Sequence, residues 1–177
     1  MSKFSCPYPT LLSPLSPNGY QLIIDKLPGV NFFSQQVSIP NVSQQGQSNF
    51  STPLSDIMVP SEKLTFDDLV CTFLVDEKME NYKSVFNWLN GFGFPESNQQ
   101  YTDYINQDKT LNKSIMEKFF SPARIIIYGN NNTPIQTIEF QDLSPASLSA
   151  LQFTNTASSV EYLTAEAVFN YTLFKFD

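Results

Sequence analysis

The chain has 177 residues, enough for one domain with its own core, and its 41% hydrophobic and 14% aromatic content excludes a disordered polymer. A net charge of −7, from 17 acidic and 10 basic residues with Arg124 as the sole arginine, argues against a phosphate-gripping surface and so against sequence-specific nucleic-acid binding. There is no histidine, no charged-then-apolar leader and no apolar run approaching ~18 residues; imidazole catalysis, signal-directed secretion and membrane insertion are therefore not expected.

Residues 1–18 carry Pro7, Pro9, Pro14 and Pro17 with serines between them and read as an extended arm ahead of a single domain over 19–177. "YQLIID", Tyr20 to Asp25, reads as a strand, "LPGVNF" as a tight turn, and "FFSQQVSIP" as a half-polar strand with Phe33, Gln35, Val37 and Ile39 on one side, ending at Pro40. The stretch from Asn41 to Lys63 is rich in Ser, Gln and Asn and is expected to be a long loop. It nevertheless keeps Phe50, Leu54, Ile57, Met58 and Val59, so it either docks on a partner or folds back on its own core.

The period changes within "LTFDDLVCTFLVDEKMENYKSVFNWLNG", Leu64 to Gly91. Leu69, Cys71, Phe73 and Val75 fall on one face of a strand, with Phe66, Asp68, Val70, Thr72 and Leu74 on the other, which suits an antiparallel sheet covered on one side. A flanking helix over about 77–90 follows. Asp76 stands at its N-cap, Glu77 and Glu80 lie in the first turn, Gly91 is the stop, and Met79, Tyr82, Val85, Phe86 and Leu89 form the apolar stripe. Trp88 near its end reads as core.

The connection from 95 to 122 is an insertion whose "KSIMEKFF" end suits a short helix; it is either a helical excursion or an interaction surface. "ARIIIYGNNNTPIQTIEF" reads as a hairpin with its turn around Gly129 to Pro134. "VEYLTAEAVFNYTLFKF" closes the domain as one long half-buried strand with Leu163, Ala165, Ala167, Phe169, Tyr171 and Leu173 on one face. The sum is a mainly β chain: an antiparallel barrel or sandwich of about six to eight strands with one flanking helix.

Reactive constellations are missing from this pattern. Cys6 and Cys71 do not form a CxxC, and Cys71 belongs to an apolar strand face, where core packing explains it. "GFGFP" lacks the glycine spacing and Lys-Ser/Thr ending of a phosphate loop. The acidic pairs Asp67–Asp68 and Asp76–Glu77 are sequence neighbours, and neighbours on a strand point to opposite faces. No catalytic, cofactor-binding or metal-binding residue is assigned, and no enzyme activity is expected.

The order of these segments resembles the tail tube proteins of contractile-tailed bacteriophages and their tube-initiating or baseplate-ring relatives, a fold shared with the type VI secretion tube protein. The resemblance covers most of the chain from about Tyr20. It rests on a strand opening at Phe66-Asp67-Asp68, an acidic turn at Asp76-Glu77, a helix ending near the Phe86–Trp88 aromatic pair, and an "F-x-x-x-x-P-x-S-L" segment from Phe140 through Pro145 to Leu148. A small polar turn at 155–159 and a last strand ending in aromatics complete it. The proline-rich arm and the insertion at 95–122 are longer than a minimal tube subunit requires and suggest a baseplate-proximal or specialised variant.

The resemblance implies hexameric rings that stack into, or initiate, the inner tube of a virion tail made in the host cytoplasm. It implies self-association, tail sheath and baseplate or terminator proteins as partners, and DNA passing through the channel without specific binding. Under it, Phe50, Leu54, Ile57, Met58 and Val59 are candidate inter-subunit or inter-ring contacts, and acidic residues are expected along the channel. Two other classes share the composition: a monomeric ligand- or carbohydrate-binding β-sandwich with Tyr101, Tyr104 and Trp88 as stacking surfaces, and, ranked last, a hydrolase working without histidine.

Overall fold

The structure, a computed structural model, describes residues 13–46, 48–51, 53–59, 63–93, 99, 102, 119–155 and 162–177. Among these, eleven strands and two helices follow one another as β1 (Tyr20–Ile24), α1 (Pro28–Phe33), β2 (Ser34–Ser38), β3 (Val42–Gln45), β4 (Ser48–Ser51), β5 (Asp56–Val59), β6 (Lys63–Phe66), β7 (Leu69–Leu74), α2 (Glu80–Gly93), β8 (Ser121–Tyr128), β9 (Pro134–Leu148), β10 (Thr164–Asn170) and β11 (Leu173–Phe176). The chain is mainly antiparallel β, as the alternating patterns predict. Seven strands make the main sheet in the order β1-β8-β9-β10-β7-β2, with β11 also paired to β9. The other four form two short ladders, β3-β6 and β4-β5.

β9 joins the two halves of the main sheet. Its first part pairs with β8 on one edge and β11 on the other, and its last residues pair with β10. The register against β8 shifts between Ser121 and Ala123, where Asp142 of β9 takes the left-handed conformation at φ 55°. An extra residue in that conformation bends a strand, and Asp adopts it more readily than a branched side chain does. A second shift between Val168 and Phe169 places Ala146 as an extra residue beside the buried Pro145. The sheet therefore turns a corner along β9, and the inner faces of both halves meet in one core.

That core is read from the alternation. Leu69, Cys71 and Phe73 of β7, Ala165, Ala167 and Phe169 of β10, Ile138, Phe140 and Leu143 of β9, Ile125 of β8 and Leu22 and Ile24 of β1 all point inward and are buried. Burying a large side chain of this kind contributes roughly 1.5–3 kcal/mol against conformational entropy of similar total size. Phe169 meets the ring of Trp88 at 6.2 Å, and Phe140, Phe174 and Tyr171 pack edge-on or tilted at 5.1–6.0 Å.

The helix begins three residues later than its pattern predicts. Asp76 is not its N-cap: its carbonyl accepts the Met79 N–H at 2.9 Å in a tight turn, and Met79 adopts φ 58° just before Glu80 opens α2. The carboxamide of the buried Asn81 takes over the joining role. It donates to the Leu74 carbonyl at 2.7 Å and accepts the N–H groups of Asp76 at 3.3 Å and Tyr82 at 2.8 Å, tying the end of β7 to the first turn of α2. The buried stripe is Asn81, Val85, Trp88 and Gly91, so Phe86 stays half-exposed and Gly91 lies inside the helix rather than ending it.

Three other expectations are corrected. "LPGVNF" forms α1 instead of a tight turn: Pro28 opens it, and Gly29 sits against Asn81, whose Cβ would be 3.2 Å from a Cβ at that glycine. Leu64 to Val75 is two strands rather than one, because Asp67 and Asp68 connect β6 to β7 and both are exposed. The last segment breaks at Tyr171–Thr172, so β11 buries Phe174 in place of Leu173. Most of the insertion at 95–122 lies outside the described residues, as do Tyr101, Tyr104, Cys6 and residues 1–12. Residues 13–18 have no regular structure, and the Asn130 side chain donates to Ser13 Oγ and the Pro14 carbonyl.

Candidate functional site

The Ser/Gln/Asn-rich stretch expected as a loop is a two-stranded arm. β3 pairs with β6 from Val42↔Phe66 to Gln45↔Lys63, and β4 continues against β5 from Ser48↔Val59 to Ser51↔Asp56. The register of the two ladders differs by one residue, and Gly46, next to the end of the first, has a φ of 82° that suits glycine. The Asp67 N–H to Asn41 carbonyl bond of 3.0 Å closes the base, and Ser43 and Thr65 share a hydroxyl bond of 2.8 Å across the first ladder. From Val42 to Leu54 the arm reaches up to roughly 40 Å at ~3.4 Å per residue.

Among the described side chains of the arm, the apolar ones are largely exposed. Val42, Leu64 and Phe66 share one face of the first ladder; Phe66 packs against Phe174 at 5.5 Å, while Val42 and Leu64 stay exposed. Leu54 near the tip is 97% exposed and Ile57 is 53% exposed. Phe50 pairs with Ile57, Met58 with Asn49 and Val59 with Ser48. A two-stranded ribbon is marginal in water unless a third strand or another surface covers it.

The two halves of the main sheet present different outer faces. On the β1-β8-β9-β11 half, Arg124 and Lys175 both stand opposite Glu139, giving an exposed row of charges across three strands. Beside that row, an open groove of about 650 Å³ is lined by Asp25, Phe120, Arg124, Glu139 and Asp142 among others. On the β2-β7-β10 half, the outward positions are mostly hydroxyl, amide and small apolar side chains. Sequence patterning gives both faces but does not separate them, since each reads as an ordinary polar alternation.

The positions that carry the family resemblance serve the packing around this arm and helix. Phe66 joins arm to body, and the Asp67 carbonyl accepts the Tyr171 hydroxyl at 2.7 Å. Glu77 is exposed in the turn before α2, and Pro145 is buried opposite Phe169. Trp88 is buried, donates its indole N–H to the Phe119 carbonyl at 2.8 Å and receives Lys26 Nζ over its ring at 5.2 Å. Its ring is therefore a core element and offers no stacking surface to a sugar. Among the described residues no three His, Cys, Asp or Glu side chains converge, and no described helix is long and apolar enough to cross a membrane.

Tyr171 makes the most distinctive titration. Burial first, and then the Asp68 and Asp67 charges, push its phenol from 10 up to about 12, and burial pushes the Cys71 thiol up to about 12 as well. A group whose folded pKa is raised stabilises the fold fully below its unfolded value and loses that contribution as pH climbs through the folded value. Stability is thus expected to fall across the window from about 9–10 to about 12. Tyr171→Phe removes one hydrogen bond, costing ~1 kcal/mol at neutral pH, and flattens the decline above pH ~10. Urea midpoints at pH ~8 and pH ~11 check this; equal slopes in both proteins would contradict it.

No protein-family model matches the chain, and no curated protein matches it in sequence. Solved structures do match in fold. A chain of the 6-fold symmetrised anti-feeding prophage baseplate aligns with a TM-score of 0.58 at 10% identity, covering 94% of this chain and 97% of that one. A chain of the anti-feeding prophage tube-terminating cap aligns at 0.58 with 11% identity and 99% coverage of both. One from the sheath/tube terminator of an extracellular contractile injection system in its extended state aligns at 0.56 with 14% identity, covering 93% and 97%. The alignments run over nearly the whole length on both sides. The chain has the fold of the tail-tube relatives found in contractile injection systems.

Proposed function

We propose that this chain is a structural subunit of a contractile tail or injection particle, forming hexameric rings that stack into, initiate or cap the inner tube through which DNA passes during ejection. The observation that carries the reading is the two-stranded arm between Val42 and Phe66, with Leu54 and Ile57 in solvent. Such a segment suits a clasp on the next subunit or the next ring. The fold likeness supports it, since the matched chains come from a 6-fold baseplate and from tube-ending assemblies. β2 ends the main sheet, and an edge strand of this kind invites a neighbouring chain; a heterologous contact that closes gives a ring.

Under this reading the role is structural, not enzymatic. The partners are copies of the chain, a sheath, and baseplate or terminator proteins, and the place of work is the assembled tail. The mass in solution tests it. Light scattering with negative-stain imaging of the same sample is expected to show species several times the 20.1 kDa protomer, with a central hole. A strict monomer at high concentration, alone and with its tail partners, overturns the reading.

A further inference from the structure

We infer that Asn18-Gly19 is a self-modifying joint: Asn18 deamidates spontaneously to a mixture of isoaspartate and aspartate, and the conversion loosens residues 13–18 from the body. The sequence holds two Asn-Gly pairs, Asn18-Gly19 and Asn90-Gly91, and the fold treats them oppositely. Asn18 is exposed in the turn at residues 17–18, just ahead of β1, while Asn90 and the buried Gly91 lie inside α2.

The reaction needs only the chain and water. The Gly19 backbone nitrogen attacks Cγ of the Asn18 side chain and loses its proton; the Cγ–Nδ2 bond breaks, ammonia leaves with that proton, and a cyclic succinimide closes. Water then opens one of the two ring carbonyls. One opening gives aspartate, and the other gives isoaspartate, whose backbone runs through the former side-chain carbon. Nothing is oxidised or reduced, and ring assembly plays no part.

Attack requires a nitrogen that can approach Cγ and a following residue that does not crowd it. Gly19 meets the second condition and is kept by packing, because a Cβ there would stand 2.8 Å from the Tyr128 carbonyl oxygen. It is tied to β8 through its carbonyl, which accepts the Tyr128 N–H at 2.9 Å; its nitrogen takes no part in that bond. In α2 the case is reversed. An interior helical N–H is bonded to the carbonyl four residues earlier, which holds the Gly91 nitrogen away from the Asn90 side chain. Asn130, Asn131 and Asn132 also lie in a turn, yet each precedes a residue with a side chain of its own.

The place of the joint gives the conversion its effect. On one side Asn130 holds the segment, donating to Ser13 Oγ at 2.9 Å and to the Pro14 carbonyl at 3.2 Å, and on the other β1 begins at Tyr20. Isoaspartate lengthens the backbone between these anchors by one carbon and adds a negative charge to a chain already at −7. The span then no longer fits its two ends. The Asn130 contact is the one that yields, since exposed side-chain hydrogen bonds are weaker than a paired strand.

The purified full chain is aged at mildly alkaline pH, folded and in urea, and its peptides are read by mass and by isoaspartyl methyltransferase labelling. In the folded chain Asn18 is expected to show the amide-to-acid mass change and to accept methyl groups while Asn90 stays intact; in urea both convert. Chymotrypsin is then expected to cut after the exposed Leu15 several times faster in the aged wild type than in an equally aged Asn18→Ser protein, whose serine suits the turn but cannot form the succinimide. Asn18 intact in the folded chain after it has converted in urea overturns the modification site. Equal conversion of Asn18 and Asn90 in the folded chain overturns the role of the fold in choosing between them. Equal cleavage of the two aged proteins, with Asn18 converted in the wild type, overturns the loosening.

Discussion

Replacing Leu54 and Ile57 together by Asp is expected to leave a folded monomer that no longer assembles. Both side chains are exposed in the single chain, so the substitution removes no core contact and surface changes of this kind usually move stability by less than ~0.5 kcal/mol. The circular dichroism spectrum and melting temperature should therefore stay near the wild type. Assembly responds differently, because an apolar side chain that is buried only against a neighbour would now bring an unpaired carboxylate into that contact. Desolvating such a charge costs several kcal/mol per contact, and a ring repeats the cost at every interface. Light scattering reads the result directly. Rings of unchanged mass and abundance would show that the arm is not the clasp.

Phe169→Ala is the largest single loss of stability expected in the body, ~3–5 kcal/mol. Phe169 is fully buried, faces Trp88 at 6.2 Å and stands opposite Pro145, at the bulge where the two halves of the sheet meet. The surrounding strands are fixed by paired backbones and cannot collapse into the space left by the ring. A domain of ordinary stability has ~5–15 kcal/mol in total, so this one change removes a large share. Phe153→Ala is the matched control: its side chain is 73% exposed, and a shift under ~0.5 kcal/mol is expected. Denaturant midpoints compare the two. A Phe169→Ala protein within 1 kcal/mol of the wild type would mean that the corner of the sheet does not depend on this packing.

The central strands were legible because their alternation is strict. Leu69, Cys71 and Phe73, and Ala165, Ala167 and Phe169, announce one buried face each, and the turn between β8 and β9 falls within the Asn-rich segment predicted for it. What escaped the pattern has local causes. Asp76 looks like a helix cap, whereas residues from Asp76 to Met79 form a turn and Asn81 is the fastener; a buried asparagine has no periodic signature. The hairpin pattern extends only to Phe140, whereas a left-handed Asp142 and a bulge beside Pro145 let β9 bend and continue. Tyr171–Thr172 shifts the inward parity by one residue, which alternation alone cannot foresee. The arm has the sequence of a loop because strands that pair mainly with each other, outside a core, need no hydrophobic period. Its apolar residues were legible as a possible contact surface. The difference between the two outer faces was not, since it appears only when register sets Arg124, Glu139 and Lys175 side by side.

One small contact bears on how such a protein survives before it finds its neighbours. The Asn31 carboxamide accepts the Ile24 N–H at 2.8 Å and donates to the Ile24 carbonyl at 2.9 Å, taking the place that an incoming strand would occupy at the end of β1. A strand arriving alongside β1 finds that position already satisfied. Uncontrolled edge-to-edge stacking is therefore discouraged at this end of β1. Blocking even this one position interrupts the row of free backbone groups that an added strand would need, which favours ordered growth over precipitation in a crowded cell.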